Sequence, residues 1–289
     1  MILSVRNISK SYRKQKVLDR VSFEITEPQI VALVGPNGSG KSTLLNILTN
    51  ILSADQGEVM ILNKSNKDAN IFREISFMQD NSVLYHYLTG YDHLQFIGDV
   101  QGIAKEQIAE TIEQIGISGY IHKKVGHYSL GMKQHLLLAM ALVNQPILLL
   151  LDEPLNGLDP TSAIKVRQLL IDLHRKGTAI LLSSHQLAEI DRLTPHILFL
   201  KNGQLMKEEL SVHENVCYKM TVKDGQTVEK MLQQVPFPWK RNDKQFFLYT
   251  TDFQQIAPLL QHDPLLILDI EKSLIGSEER YQQLFVEGG

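Results

Sequence analysis

Apolar residues recur along this chain in two rhythms. Val21, Phe23 and Ile25 alternate with polar neighbours, the period of half-buried antiparallel strands. "IVALV" is apolar without a break and of strand length, which predicts a strand buried on both faces. A glycine-rich turn follows, then "KSTLLNILTNIL" with helical spacing. "GEVMIL" and "ISFMQ" predict two more strands. In "KEQIAETIEQIG", Ile108, Ile112 and Ile115 share one helical face and Gly116 is the stop. Ser129 opens another helix as its cap, and that helix ends before Pro146. "ILLLL" is a second buried strand. Asp159 and Pro160 start the next helix as N-cap and first residue, and Gly177 ends it. "TAILLSS" predicts a further strand, and Asn202-Gly203 in "LFLKNGQL" is a hairpin signal. Strands alternating with helices predict an α/β fold with a mostly parallel sheet.

Beyond about residue 211 the pattern weakens. "VCYKMTV", "QFFLY" and "LLILDIE" predict strands; "TVEKMLQQV", "DFQQIAPLL" and "SEERYQQLF" predict short helices. "PFPWKRND" between them is expected to be a loop, from its prolines and polar residues. The expectation is a small α+β domain over 211–289, with Tyr218, Met220, Phe247, Leu266, Leu268 and Ile270 in its core, following a larger domain over 1–210.

Composition adds limits. The chain of 289 residues is 43% hydrophobic and 21% charged, with a formal net charge of -3, an ordinary globular balance. No Lys/Arg-rich block stands out, so no nucleic-acid partner is expected. The one cysteine, Cys217, cannot form an intrachain disulfide and suits a reducing compartment. The opening "MILSVRNISKSYRKQK" does not read as a signal peptide, and the apolar runs fall short of the roughly 20 residues that span a bilayer. A cytoplasmic protein is expected, and any membrane role would need a partner that does the spanning.

The chemistry begins at "GPNGSGKST". Gly35, Pro36, Asn37, Gly38, Ser39, Gly40, Lys41, Ser42 and Thr43 match the pattern G-x-x-x-x-G-K-S/T between a buried strand and a helix. In that setting, backbone N–H groups form a concave anion site strengthened by the helix N-terminus. Lys41 supplies a positive charge for β- and γ-phosphates, and Ser42 a hydroxyl for Mg²⁺. A plain Gly-rich turn would not need the lysine, the hydroxyl and the strand-helix context together. Asp152 and Glu153 end the strand "ILLLLDE", where ligands of open α/β sheets sit. Asp152 is suited to the Mg²⁺ shell and Glu153 to orienting an attacking water as general base. The alternative is that both acids only cap the next turn. His185 in "SSHQ" follows another strand end, where a histidine alone more often serves as a helix cap. Gln79 and Tyr12 say little by themselves. The other histidines lack metal-ligand spacing.

Together these residues resemble the nucleotide-binding subunit of an ABC transporter over roughly residues 1–210. The resemblance implies a P-loop core of RecA-like type, an antiparallel β subdomain, and a helical subdomain at about 85–145. Gly35–Thr43 is then the Walker A loop, and Asp152 and Glu153 are the Walker B acid and catalytic glutamate. Gln79 matches the glutamine that senses Mg²⁺ and faces the membrane subunit, and His185 matches the switch histidine that contacts the γ-phosphate. Tyr12 sits where an aromatic stacks on adenine. Asn156-Gly157-Leu158-Asp159 resembles the D-loop, with asparagine where serine is commoner. "YSLGMKQ" occupies the place of the signature, usually Leu-Ser-Gly-Gly-Gln. Ser129 and Gly131 match it, whereas Tyr128, Leu130 and Met132 replace the leucine, first glycine and glutamine. His135 stands where arginine is common. The resemblance implies a head-to-tail dimer, homo- or heteromeric, with two ATP molecules at the interface, Ser129 and Gly131 meeting the γ-phosphate held by the other subunit.

"YSLGMKQ" and "NGLDP" together look like the bacterial exporter branch that includes bacitracin- and lantibiotic-resistance and sodium-efflux ATPases. The implied function is a Mg²⁺-dependent ATPase, peripheral on the inner face of the membrane, powering export of an antimicrobial peptide, antibiotic or other small amphipathic cargo, or of an ion, through polytopic permease subunits. Two other readings of these motifs are disfavoured. A soluble ABC ATPase acting on ribosomes or DNA usually has two ATPase domains or long coiled coils, and this chain shows neither. A non-hydrolysing regulatory subunit is disfavoured by the intact Lys41, Asp152 and Glu153.

Overall fold

The computed structural model describes residues 1–209, 216–233, 235–250, 252–257, 259, 267–274, 277–281 and 285. The chain divides into two compact units, Met1–Glu208 and Glu209–Gly289.

The first unit holds two sheets. In the four-stranded one, β1 (Leu3–Tyr12) lies between β2 (Gln15–Ile25) and β4 (Gln56–Ile61), with β5 (Lys64–Ser65) outermost. Its pairings β1–β2, β1–β4 and β4–β5 are antiparallel. Val21, Phe23 and Ile25 point inward, with Ser22 and Glu24 exposed between them, as the period-two pattern requires. The six-stranded sheet comprises β3 (Ile30–Val34), β6 (Ile75–Met78), β7 (Leu148–Asp152), β8 (Ala179–Ser184), β9 (His196–Lys201) and β10 (Gln204–Glu209), in the order β10-β9-β3-β8-β7-β6. Strands β9, β3, β8, β7 and β6 run parallel. At the β9–β10 hairpin Asn202 and Gly203 both take positive φ, 51° and 78°, the turn that matches strand twist.

Both faces of this sheet are covered, and the alternation divides between two cores. Val31, Leu33, Leu148, Leu150, Ala179 and Leu181 join the antiparallel sheet and α1 (Lys41–Leu48) in one cluster. Ile30, Leu149, Leu151, Ile180 and Leu182 pack on the other side. There they meet α2 (Gly90–Gln101), α3 (Lys105–Ile115), α4 (Leu130–Leu142) and α5 (Pro160–Arg175). This is why "IVALV" and "LLLL" carry no polar residue. Helix α4 is buried nearly all round from Leu136 to Leu142, as a helix without a polar face must be. The short α6 (Leu187–Ile190) follows β8.

The second unit has a four-stranded sheet, β12-β13-β11-β14, built from β11 (Val216–Val222), β12 (Trp239–Asn242), β13 (Gln245–Leu248) and β14 (Ile267–Leu274). Helix α7 (Gly225–Leu232) links β11 to β12, and α8 (Ser277–Tyr281) follows β14. The expected loop "PFPWKRND" is thus half strand. Pro236 and Pro238 fall before β12, where they remove no ladder hydrogen bond. From Trp239 on, the chain pairs with β13, Arg241 opposite Phe246 and Asn242 opposite Gln245.

The expected core also needs correction. Tyr218, Met220, Phe246 and Leu248 are buried, and Ile270 packs against them. Phe247, one position out of phase, faces away, because a single step along a strand reverses the face. Leu268 is exposed, and Leu266 lies outside the described residues. So do the start of "LLILDIE" and parts of "DFQQIAPLL" and "SEERYQQLF". The described part of "DFQQIAPLL" includes a 3₁₀ turn, Phe253–Gln255.

Candidate nucleotide site

Strand β3 leads straight into the Gly-rich loop, and α1 begins at Lys41. Gly38 and Gly40 take φ of 78° and 107°, conformations that cost a side chain dearly. At Gly35 an added Cβ would stand 2.6 Å from Ser39 Oγ and 2.7 Å from the Leu200 carbonyl oxygen, so the loop closes tightly only because that position is bare. Lys41 is 7% exposed. Its Nζ donates to the carbonyls of Gly35 (2.8 Å) and Pro36 (3.3 Å), which curls the ammonium back over the loop. Ser39 Oγ is buried and has no hydrogen-bond partner among the described residues. An orphaned polar atom inside a loop of this shape fits a polyanionic ligand that brings its own acceptors.

The acids stand two strands away in the sheet, with β8 between. Asp152 pairs with Ser183 in the parallel register of β7 and β8. Ser183 Oγ donates to Asp152 Oδ1 at 2.5 Å and accepts from the Glu153 N–H at 3.0 Å. The Glu153 carbonyl accepts from Gln134 Nε2 of α4 (3.0 Å) and from the Asn156 N–H (3.1 Å). Both backbone groups of Glu153 are therefore held, and its φ is +51°. That left-handed conformation is unfavourable for glutamate and persists where surroundings over-determine it. His185 Nδ1 lies 2.8 Å from Glu153 Oε2. The structure thus links Asp152, Glu153 and His185 into one hydrogen-bonded group through Ser183. Ser183 and Gln134 escaped the sequence reading.

The remaining candidates are more dispersed. Ser42 is exposed and Thr43 half-buried at the start of α1. With Asp152, Ser42 offers the oxygen donors a hard cation such as Mg²⁺ prefers. Tyr12 is exposed at the end of β1, its ring 5.9 Å from Lys10 Nζ. Gln79 follows β6 and lines a cavity of about 300 Å³ with Phe72, Ile97, Gln101, Leu137 and Met140. Ser129 caps α4, accepting from the Met132 N–H at 3.2 Å. Asp159 caps α5, accepting from the N–H groups of Thr161 (2.9 Å) and Ser162 (3.0 Å). Hydrogen bonds from Ser162, side chain first, and Thr161 hold its carboxyl below the usual range. Tyr128 is buried where the signature leucine would stand. Its hydroxyl donates to the Tyr120 carbonyl at 2.8 Å, and its ring meets that of Tyr120 edge-on.

His135, one turn into α4, has Nδ1 3.4 Å from Tyr120 Oη. Burial pushes its pKa down; Asp159 acts in the opposite sense and Lys165 in the same. The sign is then fixed. With a folded pKa below the unfolded one, the unfolded chain binds the extra proton, and stability is lost as pH falls below the ordinary histidine value of about 6.5. His135→Gln is expected to flatten the fall in melting temperature between about pH 7 and 5. Thermal unfolding of both proteins across that range checks it, and parallel curves would refute it.

A Gly-rich phosphate loop at the head of a doubly covered parallel sheet, with a held carboxylate pair two strands away, defines a P-loop nucleotide-binding cassette. The ABC transporter family pattern matches residues 18–156. The uncharacterized ABC transporter ATP-binding protein YhcH of Bacillus subtilis is 32% identical, over 98% of this chain and 95% of its own length. The lantibiotic transport ATP-binding protein SrtF of Streptococcus pyogenes is 34% identical, over 72% of this chain and 90% of its own. The bacitracin transport ATP-binding protein BcrA of Enterococcus faecalis is 28% identical, over 100% of this chain and 97% of its own. Among solved structures, a dimeric bacterial ABC transporter cassette superposes with a TM-score of 0.68 at 26% identity, covering 73% of this chain and 99% of that one. The chain belongs to the ABC transporter ATP-binding proteins.

Proposed function

We propose that this subunit hydrolyses Mg²⁺-ATP and powers export through a separate membrane permease. The observation that carries the reading is the held group Asp152–Ser183–Glu153–His185 in the same sheet as the phosphate loop. Steady-state phosphate release by the purified chain with Mg²⁺ and ATP tests it; no turnover above background would refute hydrolysis.

The loop's N–H groups and Lys41 bind the phosphates, and Tyr12 stacks on the base. Bound Mg²⁺, held by Ser42 and Asp152 with Gln79 nearby, would neutralise charge on the β- and γ-phosphates. Glu153 accepts the proton of the attacking water. His185, hydrogen-bonded through Nδ1, fixes the carboxylate and keeps Nε2 for the γ-phosphate. Ser129 and Gly131 complete the site of a second ATPase subunit in a head-to-tail dimer, identical or different.

For the permease, the cavity beside Gln79 is the docking place. Helix α2 lends it Ile97 and Gln101 and carries Phe96 and Val100, each 70% exposed. Tyr85 and Tyr87, also exposed, have ring centroids 5.8 Å apart. Exposed apolar and aromatic side chains on α2 and just after Val83, two segments that also line the cavity, are the make-up of a protein-binding surface. Among the described residues no helix is long and apolar enough to cross a membrane, so peripheral attachment to the inner face rests on this dock. Likeness to SrtF and BcrA supports an antimicrobial peptide or similar amphipathic cargo. Co-expressed with its permease, the protein is expected in the membrane fraction, and Tyr87→Ala with Phe96→Ala is expected to shift it to the soluble fraction with ATP binding retained. An unchanged distribution would place the dock elsewhere.

A further inference from the structure

Leu130 replaces a signature glycine, and the site described above gives it no task. Its side chain is 51% exposed, and its inner side rests on Gly157. An ideal Cβ at Gly157 would lie 2.3 Å from Leu130 Cδ2 and 2.7 Å from Cγ, far inside the roughly 3.5–4.0 Å of carbon-carbon contact. The leucine therefore fills the room that any side chain at 157 would need. An added Cβ at Gly131 would come within 3.9 Å of the Gly157 carbonyl and of Leu158 Cδ2, so the two segments run side by side.

This contact leads back to Glu153. Asn156, next to Gly157, donates its N–H to the Glu153 carbonyl, which also accepts from Gln134. Leu130 and Gln134 are four residues apart in α4, hence on one face of the helix. That face grips the loop 153–159 at two points, by packing at Gly157 and by a hydrogen bond at Glu153.

We propose that Leu130 is a positioning residue, matched in size to Gly157, which ties the start of α4 to the loop carrying Glu153. In the head-to-tail dimer proposed above, Ser129, the preceding residue, would meet the nucleotide of the neighbouring site, and Leu130 ties that end of α4 to the loop carrying this subunit's own general base. The proposal rests on the hydrolytic reading of Glu153.

A double-mutant cycle in the full chain tests it. Leu130→Ala is expected to lower kcat about threefold and Gly157→Ala about tenfold, each with KM for ATP within about twofold of wild type. In the double variant kcat is expected to return to the level of Leu130→Ala alone, because the smaller side chain admits the new methyl. The left-handed strain of alanine at 157 would not be relieved by that change, so recovery isolates the contact. An unchanged kcat in Gly157→Ala, a loss carried by KM, or additive losses would overturn the proposal. If Gly157→Ala does not fold, an unchanged kcat in Leu130→Ala overturns it and the threefold loss at constant KM upholds it. If the wild type does not turn over ATP, the hydrolytic reading fails separately. Amide exchange at Asn156 then decides: faster in Gly157→Ala and restored in the double variant upholds the pair, equal rates overturn it.

Discussion

Glu153→Gln is expected to slow ATP hydrolysis by about 10²- to 10⁴-fold while ATP still binds, the range for loss of a positioned general base. The glutamine keeps the size of the side chain and can still accept from His185 Nδ1, now 2.8 Å from the carboxylate. Its backbone, held by Ser183, Gln134 and Asn156, has no reason to move. What disappears is the ability to take a proton from water. In the proposed site the phosphates are held by the loop and Lys41, which this change leaves untouched, so the variant is expected to retain ATP. In a head-to-tail dimer it would then hold the closed state. Single-turnover phosphate release, with nucleotide binding measured in parallel, separates the two steps. A variant rate within threefold of wild type would remove Glu153 from the chemistry and leave His185 or solvent as the proton acceptor.

Lys41→Ala is expected to weaken ATP binding by about one to two orders of magnitude, from the ~1.5–3 kcal/mol of a charged hydrogen bond. Two losses combine. The ammonium is the one side-chain cation within the loop motif and is nearly buried, where charge acts through a lower dielectric. It also braces the loop by donating to the Gly35 and Pro36 carbonyls, which alanine leaves without that donor. Arginine is not a conservative rescue, because its planar fork cannot occupy the place of a point charge. Titration calorimetry with a non-hydrolysable ATP analogue measures the change. Affinity within threefold of wild type would mean that the backbone N–H groups carry the phosphates alone.

The chain's local chemistry determines much of this protein. Continuous apolar runs of strand length at 30–34 and 148–151 specify a sheet covered on both faces. Gly38 and Gly40, followed by Lys41 and Ser42, specify the phosphate loop. Ser129 and Asp159 specify helix starts, and both cap as their side chains dictate. These signals lie within a few residues of one another, so they survive without knowledge of the rest of the fold. Tertiary structure decided what depends on distant segments meeting. Ser183 reads as any serine near a strand end until the parallel register sets it opposite Asp152. Gln134 is one polar residue in an apolar helix until α4 reaches Glu153. Prolines near Trp239 signal a loop locally, yet pairing with β13 makes a strand of the next four residues. Phe246 and Phe247 are equivalent in composition, and only cross-strand packing chooses which is buried. Leu130 looks like damage to a glycine-rich motif until Gly157 is found beneath it. Apart from the β12–β13 hairpin, whose partners lie three to nine residues apart, each of these rests on a contact between residues far apart in the chain, which no local propensity encodes.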